Sequence, residues 1–204
     1  LVMAHSGLDF ECTKLDLLGD DFAARIGALS PTRLVPVLHA DGVQISDSLA
    51  IAEWAAEQAP HLWPSDSSSR ALARSATAAM HGGFLIVRKS LPMNLRRKKP
   101  LPEIPDGLPE EIAKIETLWA DALTRSGGPF LFGDWSIADA FFAPVVTRFR
   151  SYEVALSAAS DAYCETVLAD PHMIEWVQRA AEETWHIEAF DGDMPGQAGW
   201  LSKS

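Results

Sequence analysis

A small α+β unit followed by an all-α helical bundle is the architecture this chain predicts, and three observations predict it. Residues 35–48, VPVLHADGVQISDS, read as a hairpin that runs into a helix start. Residues 136–149 open with Ser136-Ile137-Ala138-Asp139 and continue so apolar, through Phe141, Phe142, Val145 and Val146, that most faces of the helix must be buried. Between these segments Leu62-Trp63-Pro64 breaks the pattern as a linker does, and the text after it is helical in period.

The elements of the first unit follow in order. Leu1-Val2-Met3-Ala4-His5 with Ser6-Gly7 reads as the end of a helix, Gly7 being its C-cap. Residues 10–15 read as a strand, with Cys12 in it as a small buried hydrophobe. Asp20-Asp21 open a short helix over residues 22–29, and Ser30-Pro31 closes it because proline disfavours helix at the residue before it. Val37 and Leu38 form a short apolar strand, Asp41-Gly42 is a dipeptide that accepts positive φ in a tight turn, and Val43 and Ile45 alternate with Gln44 on the return.

Ser48 precedes the apolar run Leu49, Ile51, Ala52, Trp54 and Ala55, so its hydroxyl is placed to accept from the first free N–H groups of a helix. That helix start, with its unpaired donors and positive partial charge, also suits a ligand carboxylate, and Asp47 suits a ligand ammonium. Pro36 has no N–H, which leaves Val35 as the last residue whose main chain can face outward to pair with an extended peptide. An ordinary hairpin followed by an ordinary cap fits the segment as well.

In the second unit residues 68–97 are helical in period, with Leu72, Ala76, Ala79, Gly83, Ile86 and Val87 on one side. The run Arg96-Arg97-Lys98-Lys99, followed by Pro100 and Pro102, reads as a solvated helix end that complements the dipole. A helix over residues 109–125 starts at Pro109-Glu110-Glu111 and carries Ile112, Ile115, Leu118, Trp119 and Ala122 at 3–4 spacing. Ser136 and Asp139 form a capping box with Asp in the place usual for Glu. Pro144 lies inside that helix at a cost of about 3 kcal/mol, so packing must hold it. Helices over residues 157–168 and 171–184 complete the bundle, and the Gly-, Asp- and Pro-rich tail reads as a loose strap. The domain boundaries are thus residues 1–60, a linker at 61–67, a helical domain over 68–190 and a tail over 191–204.

With 204 residues, 48% of them hydrophobic and 22% charged, the chain is long enough for one large domain or two small ones with real cores. A formal net charge of -11 works against nucleic acid or an anionic membrane as partner. Its two cysteines, Cys12 and Cys164, are far apart, and none of the six histidines pairs at a metal-binding spacing. Asp191-Gly192-Asp193 is too short for a metal loop, so no metal is expected. No apolar run approaches the roughly eighteen residues a bilayer needs, no signal peptide is visible, and the expected location is the cytoplasm.

The VPVL hairpin with its Asp-Ser helix start, followed about ninety residues later by a buried helix with an SxAD opening, resembles the cytosolic glutathione transferase superfamily. Met80-His81-Gly82-Gly83-Phe84 with Arg88 and Leu91-Pro92-Met93-Asn94 is similar to the first long helix of the second domain in bacterial members. The resemblance spans roughly residues 1–190 and implies a thioredoxin-like first domain. It implies that Val35 pairs through its backbone with the cysteinyl part of glutathione, that Pro36 is cis, and that Asp47 and Ser48 hold the γ-glutamyl end. Arg33 and Leu34 flank this site where many relatives have Gly-Lys, so the usual lysine contact is absent and Arg33 is the nearest cation. Met80, His81, Phe84 and Arg88 become the expected pocket for a small hydrophobic electrophile, and a homodimer is expected.

In that superfamily a first strand precedes the first helix, and a Ser, Cys or Tyr at the turn between them activates the thiol. The resemblance therefore implies a segment upstream of Leu1, and no catalytic residue is named within the chain. The activity it implies is conjugation of the glutathione thiolate, with glutathione as co-substrate. A glutathione-dependent isomerase or reductase, or a non-catalytic binding or regulatory protein, are the alternatives.

Overall fold

The computed structural model describes residues 1–96, 98 and 100–184. The chain divides into two compact units, Val2–Leu62 and the part from Trp63 onward. In the first, α1 (Val2–Ser6) and α2 (Phe22–Leu29) precede the strands β1 (Val37–Ala40) and β2 (Val43–Ser46), then α3 (Ser48–Gln58) and a 3-10 turn at Pro60–Leu62. The strands pair antiparallel, Val37 opposite Ser46 and Ala40 opposite Val43. Asp41 (φ 49°) and Gly42 (φ 79°) both turn through the left-handed region, the conformation an Asp-Gly pair tolerates.

Ala52, Ala55 and Ala56 make the buried face of α3, with Ile26 and Leu62 completing this core. Such small side chains let α1 and the hairpin lie close to the helix. Two histidines tie its ends: His39 Nε2–H donates to the Leu29 carbonyl (2.6 Å) and His61 Nε2–H to the His5 carbonyl (3.0 Å). Residues 10–15, expected as a strand, carry no regular structure. Among the described residues they find no ladder partner, and their side chains are exposed or half-buried, so water serves their backbone groups. Cys12, expected to be buried, is accordingly exposed.

The second unit holds α4 (Ser67–Gly82), α5 (Leu85–Ser90), α6 (Leu108–Ser126), α7 (Ile137–Ser151), α8 (Ala158–Leu168) and α9 (Pro171–Ala181). The single helix expected over residues 68–97 is thus two helices. The break falls at Gly83 and Phe84, Phe84 taking a left-handed conformation at φ 54°. Gly83 approaches the preceding turn so closely that a Cβ built on it would sit 2.6 Å from the Ala79 carbonyl oxygen. The buried stripe of α4 is Ala73, Ala76, Thr77 and Met80, whereas Leu72, expected inward, is 43% exposed. Because α5 ends at Ser90, neither Arg96 nor Lys98 ends a helix; Arg97 and Lys99 lie outside the described residues, as do the tail and its Asp191-Gly192-Asp193. The last helix is shorter than expected, ending at Ala181.

Trp119 on α6 is the centre of the helical core, its ring meeting those of Phe142 and Phe149 at 5.8 Å and of Tyr163 at 4.8 Å. Beside this cluster the capping box of Ser136 and Asp139 forms. The Asp139 carboxylate is fully buried and accepts four hydrogen bonds, from the Ser136 N–H (2.9 Å), the Ser136 hydroxyl (3.1 Å), the Leu131 N–H (3.1 Å) and the Tyr163 hydroxyl (3.0 Å). It therefore joins the loop before α7, the start of α7 and the middle of α8. Pro144 is accommodated within α7, and no helix among the described residues is long and apolar enough to cross a membrane.

Burial pushes the Asp139 carboxyl up from 3.8 to about 6, while the hydrogen bonds from Leu131, Ser136 and Tyr163 pull the other way. Because the folded state holds this proton more tightly than the unfolded one, the contribution of Asp139 to stability is greatest below about 4 and declines as the pH rises through about 6. Asp139→Asn, which sets an amide NH2 against these donors, is expected to cost about 2–4 kcal/mol in denaturant unfolding at neutral pH. The gap between the two proteins is expected to widen as the pH is lowered from 7 to 4. Gly83→Ala is expected to cost about 1–3 kcal/mol, read as a lower thermal midpoint with unchanged helical content, because the added methyl meets backbone.

Candidate functional site

The open end of the hairpin brings the first group of predicted residues together. Since Val37 pairs with Ser46, the residues just before β1 and just after β2 lie at the same end of the ladder, which places Val35-Pro36 and Asp47-Ser48 together there. The Val35-Pro36 peptide bond is cis. Val35 is 48% exposed, and its N–H and C=O make no hydrogen bond with any described residue. Leu34 is 68% exposed and Arg33, at φ 57°, is also on the surface.

The helix start differs from the expectation at one residue. Asp47, not Ser48, caps α3: its Oδ1 accepts from the Leu49 N–H (2.7 Å) and the Ala50 N–H (3.4 Å), while its carbonyl accepts from the Ile51 N–H (3.0 Å). To do so Asp47 takes φ 83°, ψ 136°, a region that residues with a Cβ seldom occupy. Ser48 is the first helical residue, and its hydroxyl and N–H have no partner among the described residues. The physical reason is reach: from the position before the helix a carboxylate spans to the second and third N–H groups, which a side chain already on the helix cannot do. Asp-Ser reads equally well with either residue as cap, so the sequence held no signal to choose.

A shallow surface depression borders the other end of the hairpin, lined by Pro31, His39, Ala40, Asp41, Gly42, Val43 and Gln44. It contains none of the predicted site residues. Among the described residues no cluster of His, Cys, Asp and Glu has the arrangement of a metal site. Cys164 is buried, and burial pushes its thiol up to about 12, which makes it unreactive.

In the helical unit the second predicted group disperses. Met80 is 3% exposed and sealed in the core. His81 and Phe84 are partly exposed, and the His81 ring meets the edge of Phe141 on α7 at 5.8 Å. Arg88 reaches back from α5 to donate through one Nη to the Met80 and His81 carbonyls, the latter at 2.9 Å, and so closes the end of α4. Arg148, which the sequence reading passed over, does the same for α5, its Nε–H donating to the Leu91 carbonyl (2.8 Å). Its spacing of seven residues from Phe141, two helical turns along one face, was the signal available.

Comparison with known proteins accords with this geometry. Residues 1–58 match the family model "Glutathione S-transferase, N-terminal domain", and residues 101–179 match "Glutathione S-transferase, C-terminal domain". Among curated proteins the chain is similar to maleylacetoacetate isomerase of Rattus norvegicus, 27% identical over 164 residues, which is 77% of this chain and 74% of that protein. A probable maleylacetoacetate isomerase of Caenorhabditis elegans is 28% identical over 165 residues, 77% of this chain and 75% of that one. Among solved structures a glutathione transferase homologue from Burkholderia with bound glutathione covers 89% of both chains at 26% identity and a TM-score of 0.59. The theta-class enzyme of Xanthomonas axonopodis pv. citri, also with glutathione bound, has a TM-score of 0.60 over 89% of both chains at 19% identity, a likeness of fold.

The division of labour at the helix start sets an expected outcome. Asp47→Ala removes the cap and is expected to cost about 1 kcal/mol of stability. Ser48→Ala, whose hydroxyl bonds to nothing described, is expected to stay within about 0.5 kcal/mol of the parent in the same urea titration.

Proposed function

This chain is a member of the glutathione S-transferase superfamily, with its thioredoxin-like domain followed by a helical one, and from that premise we propose that it is a glutathione-dependent enzyme. The observation that carries the proposal is the open end of the hairpin, where the unpaired main chain of Val35 lies at the same end of the ladder as the unspent hydroxyl and N–H of Ser48. A tripeptide suits these groups. Its cysteinyl backbone pairs with the N–H and C=O of Val35 as a short added strand, and Pro36 directs that main chain outward. The γ-glutamyl carboxylate takes the Ser48 hydroxyl and N–H, aided by the positive end of α3. Asp47 keeps its cap and offers its negative charge to the γ-glutamyl ammonium, while Arg33 and Leu34 border the site.

Bound glutathione supplies a thiol that, as thiolate, attacks an electrophilic carbon. The protein's part, on this reading, is to hold the tripeptide extended and to keep the helix dipole near its charged end. Conjugation to a small electrophile is the first reading of the reaction. Glutathione-dependent isomerisation is the second, favoured by the names of the curated relatives. The two leave different products: conjugation consumes thiol and adds the mass of glutathione to the substrate, whereas isomerisation changes the geometry of a double bond and leaves the thiol count unchanged.

Calorimetric titration of the protein with reduced glutathione is expected to show saturable binding, and Ser48→Ala to weaken it about tenfold, as expected for the loss of one hydrogen bond to a charged group. Equal affinities for the two proteins would remove Ser48 from the site, and no binding to either would overturn the glutathione reading.

A further inference from the structure

Among the described residues of the helical unit, two cations have no carboxylate to match them. Arg88 and Arg148 are both partly buried, and neither has a carboxylate partner among the described residues. Arg88 spends one Nη on the Met80 and His81 carbonyls, and its Nε is buried without a partner. Arg148 spends Nε on the Leu91 carbonyl and Nη1 on the Pro144 carbonyl at 3.3 Å. This leaves Nη1 of Arg88 and Nη2 of Arg148 without a hydrogen bond to any described residue. Glu111 of α6, which reaches the residue before Arg88, gives its Oε2 to the Val87 N–H at 2.9 Å instead.

Arg150, two residues along α7, shows how this protein treats a guanidinium that it means only to bury. Its side chain is 21% exposed and its Nε, like that of Arg88, is buried without a partner, but its two Nη groups are met by carboxylates, Asp161 at 2.7 Å and Glu165 at 2.6 Å. Withdrawing a cation from water without such a partner is costly, and carbonyl oxygens offset only part of that cost. Geometry places the two side chains in one neighbourhood: Arg88 meets the His81 carbonyl at 2.9 Å, the His81 ring meets Phe141 on α7 at 5.8 Å, and Arg148, farther along α7, meets the carbonyl of Leu91, three residues after Arg88, at 2.8 Å. Burial first, and the positive charge of Arg88 second, hold Arg148 below the ordinary arginine range, in keeping with that placement. In a chain of formal net charge -11, two cations that meet no carboxylate among the described residues are a local exception.

What lies along the same face completes the picture. Phe141, Pro144 and Arg148 succeed one another at i, i+3 and i+7 on α7, and the Phe141 ring meets His81 at 5.8 Å. The face thus offers flat, partly exposed rings at one end and two forked donors at the other.

We propose that Arg88 and Arg148 form a carboxylate-binding subsite, and that the ligand it receives is a small organic acid whose unsaturated or aromatic part lies against His81 and Phe141. The free arms of the guanidinium groups suit the two oxygens of a carboxylate, which a neutral molecule of the same shape cannot match. The proposal names the class of second substrate for the glutathione-dependent reading and rests on it, changing the expected small hydrophobic electrophile to an acid.

Binding of cinnamate and of its neutral, shape-matched amide to the full chain, by calorimetry in the absence of glutathione, tests it independently of the hairpin site. Cinnamate is expected to bind at least tenfold more tightly than cinnamamide, and more weakly as salt is raised. Arg148→Gln is expected to bring the ratio close to one with the circular dichroism spectrum unchanged, and Arg148→Lys to restore part of it. Equal affinity of acid and amide for the parent protein, absence of cinnamate binding, or an unchanged ratio in folded Arg148→Gln would each overturn the subsite and assign both arginines to helix closure alone. Should Arg148→Gln fail to fold, the acid-to-amide ratio of the parent protein decides. Failure here with intact glutathione binding leaves the family reading standing, and the reverse result separates the two equally.

Discussion

One buried carboxylate organises the helical unit. Asp139 accepts from two backbone N–H groups and two hydroxyls, and these donors come from three places that are not neighbours in sequence: Leu131 in the preceding loop, Ser136 at the start of α7, and Tyr163 on α8. Each bond is short-range, but a buried charge has no water to fall back on, so all four donors must be in place together. The position of α7 follows from this, and with it the placing of Phe142 and Phe149 against Trp119 and of Phe141 against His81. The interior proline of α7 is tolerated for the same reason. The helix is held by its cap and its packing rather than by its own propensity.

The other recurring device is the closing of helix ends by side chains from outside the helix. Asp47, Asp66, Ser157 and Asp170 cap the starts of α3, α4, α8 and α9. Glu111 accepts from the Val87 N–H near the start of α5, and Arg88 and Arg148 close the ends of α4 and α5. Where a single group does one of these jobs completely, its neighbour is released for something else. Asp47 caps α3 and frees Ser48, and that substitution of roles is what leaves a hydroxyl for the γ-glutamyl carboxylate in the proposed glutathione site. The guanidinium groups, by contrast, use only part of their donor set on carbonyls, and it is the remainder that suits an anion.

Much of this was readable in the text of the chain because it depends on neighbours in sequence. Asp41-Gly42 specified the hairpin turn, Ser136 and Asp139 the capping box, and Ile115, Trp119 and Ala122 the buried face of α6. The departures came where a choice depended on something distant. Residues 10–15 have strand-like composition, yet a strand exists only when another supplies its ladder. Helical period carries straight through residues 68–97, yet Gly83 meets the Ala79 carbonyl and Phe84 turns left-handed, so one helix becomes two.

By itself the sequence determined the family, the hairpin, most of the helices and the residues at the hairpin's open end, because short spacings encode turns, caps and apolar faces directly. Only the tertiary structure decided which of Asp47 and Ser48 caps the helix, that Met80 faces the core, and that Arg88 and Arg148 meet carbonyl oxygens rather than a carboxylate among the described residues. Those outcomes turn on the competition of several groups for the same donors, acceptors and space, and such competition is settled by distance in the folded molecule rather than by position along the chain.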